Sequence, residues 1–298
     1  MDRELFIALL AGFGGMFGWG LADFFAKKTI DQIGDIVVLA WAHVFGTAVL
    51  VCTALLQAAQ GRSISVPRDY HTWLLLLCFG VAQAVIYLLV YRGFGKGQVG
   101  LLAPVFACFA GLTAVLSITI FGETIRGFLP FALSVIFAGV LLISLDANAL
   151  RAKRFSFVRI AGFKEVALAT LLAAFWTLFW DRFVGDKDWL GYALWMYTFM
   201  TLAILFIAAL RRIRLFPVRA DLWKFLFLIG LCETGAYLAI TLGYSATRFT
   251  SVVAILSGAF SLPTIILARI FLREKVTALQ TVGGCIAVFG IMLLAAFR

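Results

Sequence analysis

The sequence predicts an all-α membrane protein of ten transmembrane helices, built as a 5+5 inverted-topology repeat. Two observations carry this expectation. The first is composition. Of 298 residues, 63% are hydrophobic and only 13% charged, and the mean hydropathy is +1.05, which leaves too little polar surface for a water-soluble domain. The second is self-similarity. Displaced by 150 residues, Gly80, Tyr87, Leu88 and Gly93 fall on Gly230, Tyr237, Leu238 and Gly243. Displaced by 151, Ala103, Thr113, Leu116, Glu123, Gly139 and Leu142 fall on Ala254, Thr264, Leu267, Glu274, Gly290 and Leu293. Each copy holds five apolar segments, so the second enters the bilayer from the opposite side. Halves of one fold and opposite orientation are how many secondary transporters build a single site that opens alternately to either face.

A spanning helix needs about 20 mostly apolar residues at 1.5 Å rise each. Runs of that kind occupy 5–25, 35–57, 72–94, 99–121 and 127–145, giving a first five-helix repeat over 1–145. A basic connector follows at 146–163. The second repeat, 164–298, reads as helices at 164–183, 189–210, 223–244, 250–271 and 278–297. Leu, Ala, Phe and Gly dominate without strand-like alternation, which argues against a β-barrel. The first run has no small-residue cleavage site before Lys27 and Lys28, so it reads as a span and not as a signal peptide. Glycines crowd helix 1 (Gly12, Gly14, Gly15, Gly18, Gly20) and permit close helix contact. Pro104 and Pro263 weaken the backbone ladder of helices 4 and 9 and supply bending points. Cys52, Cys78, Cys108, Cys232 and Cys285 lie in apolar runs without a C-x-x-C pair, and read as small packing residues.

The net charge of +10 invites a nucleic-acid reading that the location of the charges opposes. Of the 25 Lys and Arg, 17 fall in the loops after helices 1, 3, 5, 7 and 9. That asymmetry places the basic loops in the cytoplasm and both termini outside. The stretches Arg151–Lys164 and Arg211–Lys224 then serve orientation and lipid headgroups, not nucleic acid. The run "GFGKGQ" at 93–98 lacks the spacing of a phosphate-binding loop, and there is no H-E-x-x-H or G-x-S-x-G. No enzyme activity, cofactor or metal site is expected. A channel would need a continuous polar stripe, whereas the polar residues here are single and central.

Those central residues point to a binding site. A charge near the bilayer centre costs about 2.5–3.5 kcal/mol on insertion scales and faces protein or a water-filled cavity. Glu233 lies ten residues into helix 8, roughly 15 Å deep. It belongs to the one-faced stripe Gly230, Glu233, Tyr237, Thr241, Tyr244. The repeat sets Gln83 opposite it, on a matching face with Gly80, Tyr87 and Tyr91. His43 is central in helix 2. Trp19, Trp41, Trp176, Trp180, Trp195 and Tyr197 add rings that stack on flat ligands and attract cations. The expected cavity lies between the halves, lined by helices 1, 3, 6 and 8 and flanked by 2, 4, 7 and 9. Its candidate liners are Trp19, His43, Gln83, Tyr87, Trp176, Glu233 and Tyr237, with Glu233 the candidate for proton coupling or, alternatively, for a purely structural role. Asp23 and Asp181 are expected in interfacial ion pairs. Glu123 and Glu274 read as helix-end clamps. Helices 5 and 10 carry no central polar residue and are expected at the periphery, available for homodimer contacts.

The stretch 250–294 carries Ser251-Val-Val-Ala254, Pro263, Leu272-Arg-Glu274, Gln280 and a Gly-rich tenth helix with Gly283 and Gly290. Residues 100–125 are a looser copy, with Glu123 in the place of Glu274, and Trp19-Gly20 marks helix 1. This pattern resembles the drug/metabolite transporter superfamily in its EamA-type ten-helix branch. The resemblance implies a carrier of the inner (plasma) membrane with a 5+5 inverted repeat, often an exporter of metabolites or toxic organic compounds. The expected partners are a small-molecule substrate, the lipid bilayer and protons. The expected function is export of amino-acid-like, aromatic or cationic molecules by alternating access. Facilitative uptake, a lipid flippase or a membrane scaffold are the alternatives.

Overall fold

In lipid every backbone N–H and C=O must be satisfied within its own segment, so apolar runs of this length fold as helices. The computed structural model describes residues 3–61, 63–96, 99–122, 127–144, 161–185, 187–271 and 278–296, and its regular structure is all helical. The helices are α1 (Arg3–Ile33), α2 (Asp35–Ala59), α3 (Tyr70–Lys96), α4 (Val99–Phe121), α5 (Leu129–Ser144) and α6 (Phe163–Val184). They continue as α7 (Trp189–Leu210), α8 (Trp223–Ala246), α9 (Thr250–Gly258), α10 (Ser261–Phe271) and α11 (Ala278–Ala296). Among the described residues six of them, α1, α2, α3, α6, α7 and α8, are long and apolar enough to cross a membrane, and the apolar stretches of α4, α5, α9–α10 and α11 are shorter. Phe6, Leu10, Leu55, Leu74, Phe175 and Phe206 stand exposed on the outer faces. A soluble surface does not carry a belt of that kind, and a bilayer covers it. The chain is a multi-pass membrane protein.

Equivalent helices of the two repeats pack on one another. Thr47 of α2 and Thr201 of α7, 154 residues apart, share a hydrogen bond of 2.8 Å. One turn away His43 stacks on Tyr197 at 5.2 Å. The two helices run antiparallel. Trp41, in the first half of α2, donates to the Leu215 carbonyl beyond the end of α7 at 3.0 Å. The Ser65 amide, beyond the end of α2, donates to Asp188 at the start of α7 at 2.7 Å. Close approaches repeat in the same exchanged way. Gly80 of α3 lies against Met196 and Met200 of α7, and Gly230 of α8 lies against Ala42 and Gly46 of α2. Gly139 of α5 meets Ala287 of α11, and Gly290 of α11 meets Ile136 of α5. Helices α5 and α11 pack mainly on each other.

One expected helix is two. The run 250–271 breaks at Ala259–Phe260 into α9 and α10. Pro263 has no N–H for the Ala259 carbonyl, and its ring crowds that oxygen. The Ala259 carbonyl accepts instead from Leu262 N at 3.0 Å, a tighter turn. By contrast α4 continues through position 104. Helix α1 seats against the break through Gly20, where a Cβ would press on Pro263 and lie 2.7 Å from the Phe260 carbonyl. Thr264 Oγ1 donates to the Gly20 carbonyl at 3.0 Å. Gly20→Ala is therefore expected to cost about 1–3 kcal/mol by overpacking against backbone, read as a lower unfolding temperature in detergent. The cysteines depart from expectation. Cys52, Cys78 and Cys285 are exposed on outer faces and all five are free.

Candidate functional site

Helices α1, α3, α6 and α8 surround a narrow cavity. Phe106 and Phe109 of α4 and Phe260, in the α9–α10 turn, complete the wall. Six of the seven expected liners face it: Trp19, Gln83, Tyr87, Trp176, Glu233 and Tyr237. Tyr237 is the hub. Its ring meets Tyr197 at 5.5 Å, Trp19 at 6.0 Å and Trp176 at 6.4 Å, all edge to face. Gln83 Nε2 donates to the Tyr237 hydroxyl, tying α3 to α8 across the repeat. Trp176 Nε1 donates to the Phe79 carbonyl at 2.9 Å, which fixes α6 on α3.

The seventh, His43, stands behind Glu233 and not in the wall. Its Nε2 lies 3.3 Å from Glu233 Oε1, and both side chains are fully buried. The contact is of ion-pair length but lacks hydrogen-bond geometry. His43 Nδ1 lies 2.8 Å from the Leu39 carbonyl one turn back. Tyr87 touches the imidazole edge to face at 5.4 Å, and Tyr197 stacks on it at 5.2 Å. Buried polar atoms of Trp19 (Nε1), Gln83 (Oε1) and Thr241 (Oγ1) also lack protein partners. A group bound here would therefore donate to Glu233 and Gln83 and accept from Trp19.

Two further findings differ from expectation. Asp23, one turn beyond Trp19 on the same face, lines the cavity with Glu233. The described lining thus holds two carboxyl groups and neither Lys nor Arg. Asp181 does sit beside a cation, 3.9 Å from Arg182 Nε. Trp41 and Trp195 lie elsewhere. Trp41 packs on Phe216 and Trp223, and Trp195 on Trp73, near helix ends, where the amphipathic indole favours the membrane interface. Glu123 and Glu274, expected as clamps, lie outside the described residues. Tyr91 and Tyr244 line the cavity at the ends of the two sequence stripes that contain Gln83 and Glu233. Phe260 had no such signal, because its place depends on the helix break.

A bundle of lipid-covered helices around an aromatic cavity with a buried carboxyl group is the architecture of a membrane transporter for small molecules. The sequence matches the EamA-like transporter family over residues 6–145 and again over 162–296, and the chain belongs to that family. Twenty-eight solved chains match it in structure. One is a crystal structure of a protein with 17% sequence identity, covering 98% of each chain at a TM-score of 0.74. At that identity the likeness speaks for the fold alone. No curated protein matches the sequence.

Proposed function

We propose that the chain is a secondary active exporter of small organic molecules, amino-acid-like, aromatic or cationic, working by alternating access in the inner (plasma) membrane. The observation that carries this reading is the buried Glu233 carboxyl facing an aromatic cavity between the two halves. Trp19, Gln83, Tyr87, Trp176 and Tyr237 form the substrate walls, where desolvated rings attract a cation by about 2 kcal/mol or more. Proton and cationic substrate compete for Glu233, so an inward proton gradient drives the cation outward. The ten spans divide as 1–145 and 164–298, joined by a cytoplasmic connector at 146–163, with both termini outside. Antiparallel packing of α2 on α7, and contacts that exchange between the halves, support an axis in the membrane plane.

Two ion pairs supply gates for such a cycle. Arg248 Nε pairs with Glu4 at 3.1 Å, joining the α8–α9 loop to the start of α1. Lys96 pairs with Glu165 at 2.5 Å, joining the end of α3 to the start of α6. Glu4 shares a surface recess with Asp181 and Arg182 at the end of α6. Glu165 therefore lies 16 residues of α6 away from Asp181, about 24 Å at 1.5 Å per residue. Each pair ties the first helix of one half to the end of the third helix of the other. Exposed pairs are weak, so each can break and re-form within a cycle.

The test is transport in proteoliposomes with a panel of labelled aromatic amines and amino acids, with and without an imposed pH gradient. Concentrative movement that requires the gradient is the expected result. Equilibration that ignores the gradient would make the protein a facilitative carrier. Movement of lipid analogues alone, or of nothing, would make it a flippase or a scaffold with a structural Glu233.

A further inference from the structure

We propose that His43 and Glu233 act as one proton-holding unit, and that a monovalent organic cation entering the cavity displaces the single proton they share. The inference rests on the transport reading above, and adds a positioning residue and a stoichiometry. The Leu39 carbonyl, 2.8 Å from His43 Nδ1, can only accept. Nδ1 therefore carries a hydrogen in every state of the ring. Nε2 then presents either a lone pair or, in the imidazolium, a second N–H. It faces Glu233 Oε1 at 3.3 Å with both side chains buried. With no proton between them, two bare acceptors oppose each other and a carboxylate is buried without a counter-charge. With two protons, a buried imidazolium lacks its counter-ion. With one, the contact is attractive whichever atom holds it. The geometry thus assigns one proton to the pair.

The groups facing this pair come from each neighbouring helix. Tyr87 (α3) and Tyr197 (α7) contact the imidazole, and Gln83 (α3) and Tyr237 (α8) share the cavity wall with Glu233. Tyr91 (α3) and Asp23 (α1) line the same cavity. The exchange takes its proton from the His43–Glu233 pair alone: Asp23 neither gains nor loses one, and the other groups stay uncharged. When the cation binds, the shared proton leaves through the face to which the cavity is open. Glu233 then stands as carboxylate against the bound cation, with His43 neutral. The charge of the loaded cavity equals that of the protonated one, so one proton moves per monovalent cation and the exchange carries no net charge. His43 itself holds and aims Glu233 from behind, clamped between Tyr87, Tyr197 and the Leu39 carbonyl.

The test combines nitrogen-15 NMR of histidine-labelled protein in lipid nanodiscs with proton release on adding ethidium, a flat aromatic monocation with N–H donors. In the unaltered protein, His43 should show a protonated Nδ1 and an Nε2 resonance set by the neighbouring Glu233 carboxyl. Ethidium should release one proton per molecule bound. Glu233→Gln, which keeps shape and removes the titrating oxygen, should move the Nε2 resonance and release no proton. Asp23→Asn should retain the one-to-one ratio. An Nε2 that titrates as a free imidazole, or that is unchanged in Glu233→Gln, overturns the shared unit while leaving Glu233-dependent transport intact. No ethidium binding, or binding without proton release, overturns the exchange. Full gradient-driven transport by Glu233→Gln sinks the underlying transport reading instead.

Discussion

Glu233→Gln is expected to lower pH-gradient-driven transport at least tenfold, about 1.4 kcal/mol of lost driving interaction as a minimum. The amide keeps the size of the side chain but offers no exchangeable charge. Glu233 is 1% exposed, so no water replaces the missing charge opposite a cation. Neutral aromatic compounds should still bind, because the Trp19, Trp176 and Tyr237 rings are unaffected. Initial rates in proteoliposomes at several imposed gradients check both parts. Unchanged rates and an unchanged pH dependence would return Glu233 to a packing role.

Gly230→Val is expected to destabilise the fold by about 3 kcal/mol, at the upper end for overpacking. A Cβ at Gly230 would strike the Ala42 carbonyl and lie 2.8 Å from Gly46 N. Both are helical backbone and cannot swing aside. The forced separation of α2 from α8 would also part His43 from Glu233, so loss of transport should accompany loss of stability. Gly80→Val should behave alike, since its Cβ would lie 2.7 Å from the Met196 carbonyl and 2.8 Å from Met200 N. Gly235 is the control within α8. Nothing lies within 4 Å of its Cβ position, and Gly235→Ala should stabilise by up to about 1 kcal/mol through helix propensity. Thermal unfolding of the purified variants in one detergent compares all three.

Much of the cavity was legible because it lies on helical stripes. Gly80, Gln83, Tyr87 and Tyr91 recur at helical spacing, as do Gly230, Glu233, Tyr237, Thr241 and Tyr244. A polar stripe in an apolar helix has only the protein interior to face. The glycine at the head of each stripe marks where that helix touches the other half. What stayed hidden depends on tertiary placement. The contact of His43 with Glu233 joins helices 190 residues apart in numbering, and neither side chain names its partner. Asp23 is close to Lys27 and Lys28 in sequence, which suggested an ion pair. Its position one turn beyond Trp19 instead sets it on the cavity face. Pro263 announced a bend, but not that Phe260 would close the cavity at the break.

The proposed cycle requires one cavity between two halves that opens to each face in turn. Site-directed labelling tests it most directly. With the five native cysteines replaced, Ala173→Cys puts a small thiol on the α6 wall of the cavity, at a position 5% exposed. In proteoliposomes of defined orientation, a membrane-impermeant maleimide is applied from one side or the other under opposite pH gradients. Labelling is expected from a single side under each gradient, with the reactive side changing when the gradient is reversed. Labelling from one fixed side under both gradients, or from both sides at once, would contradict it.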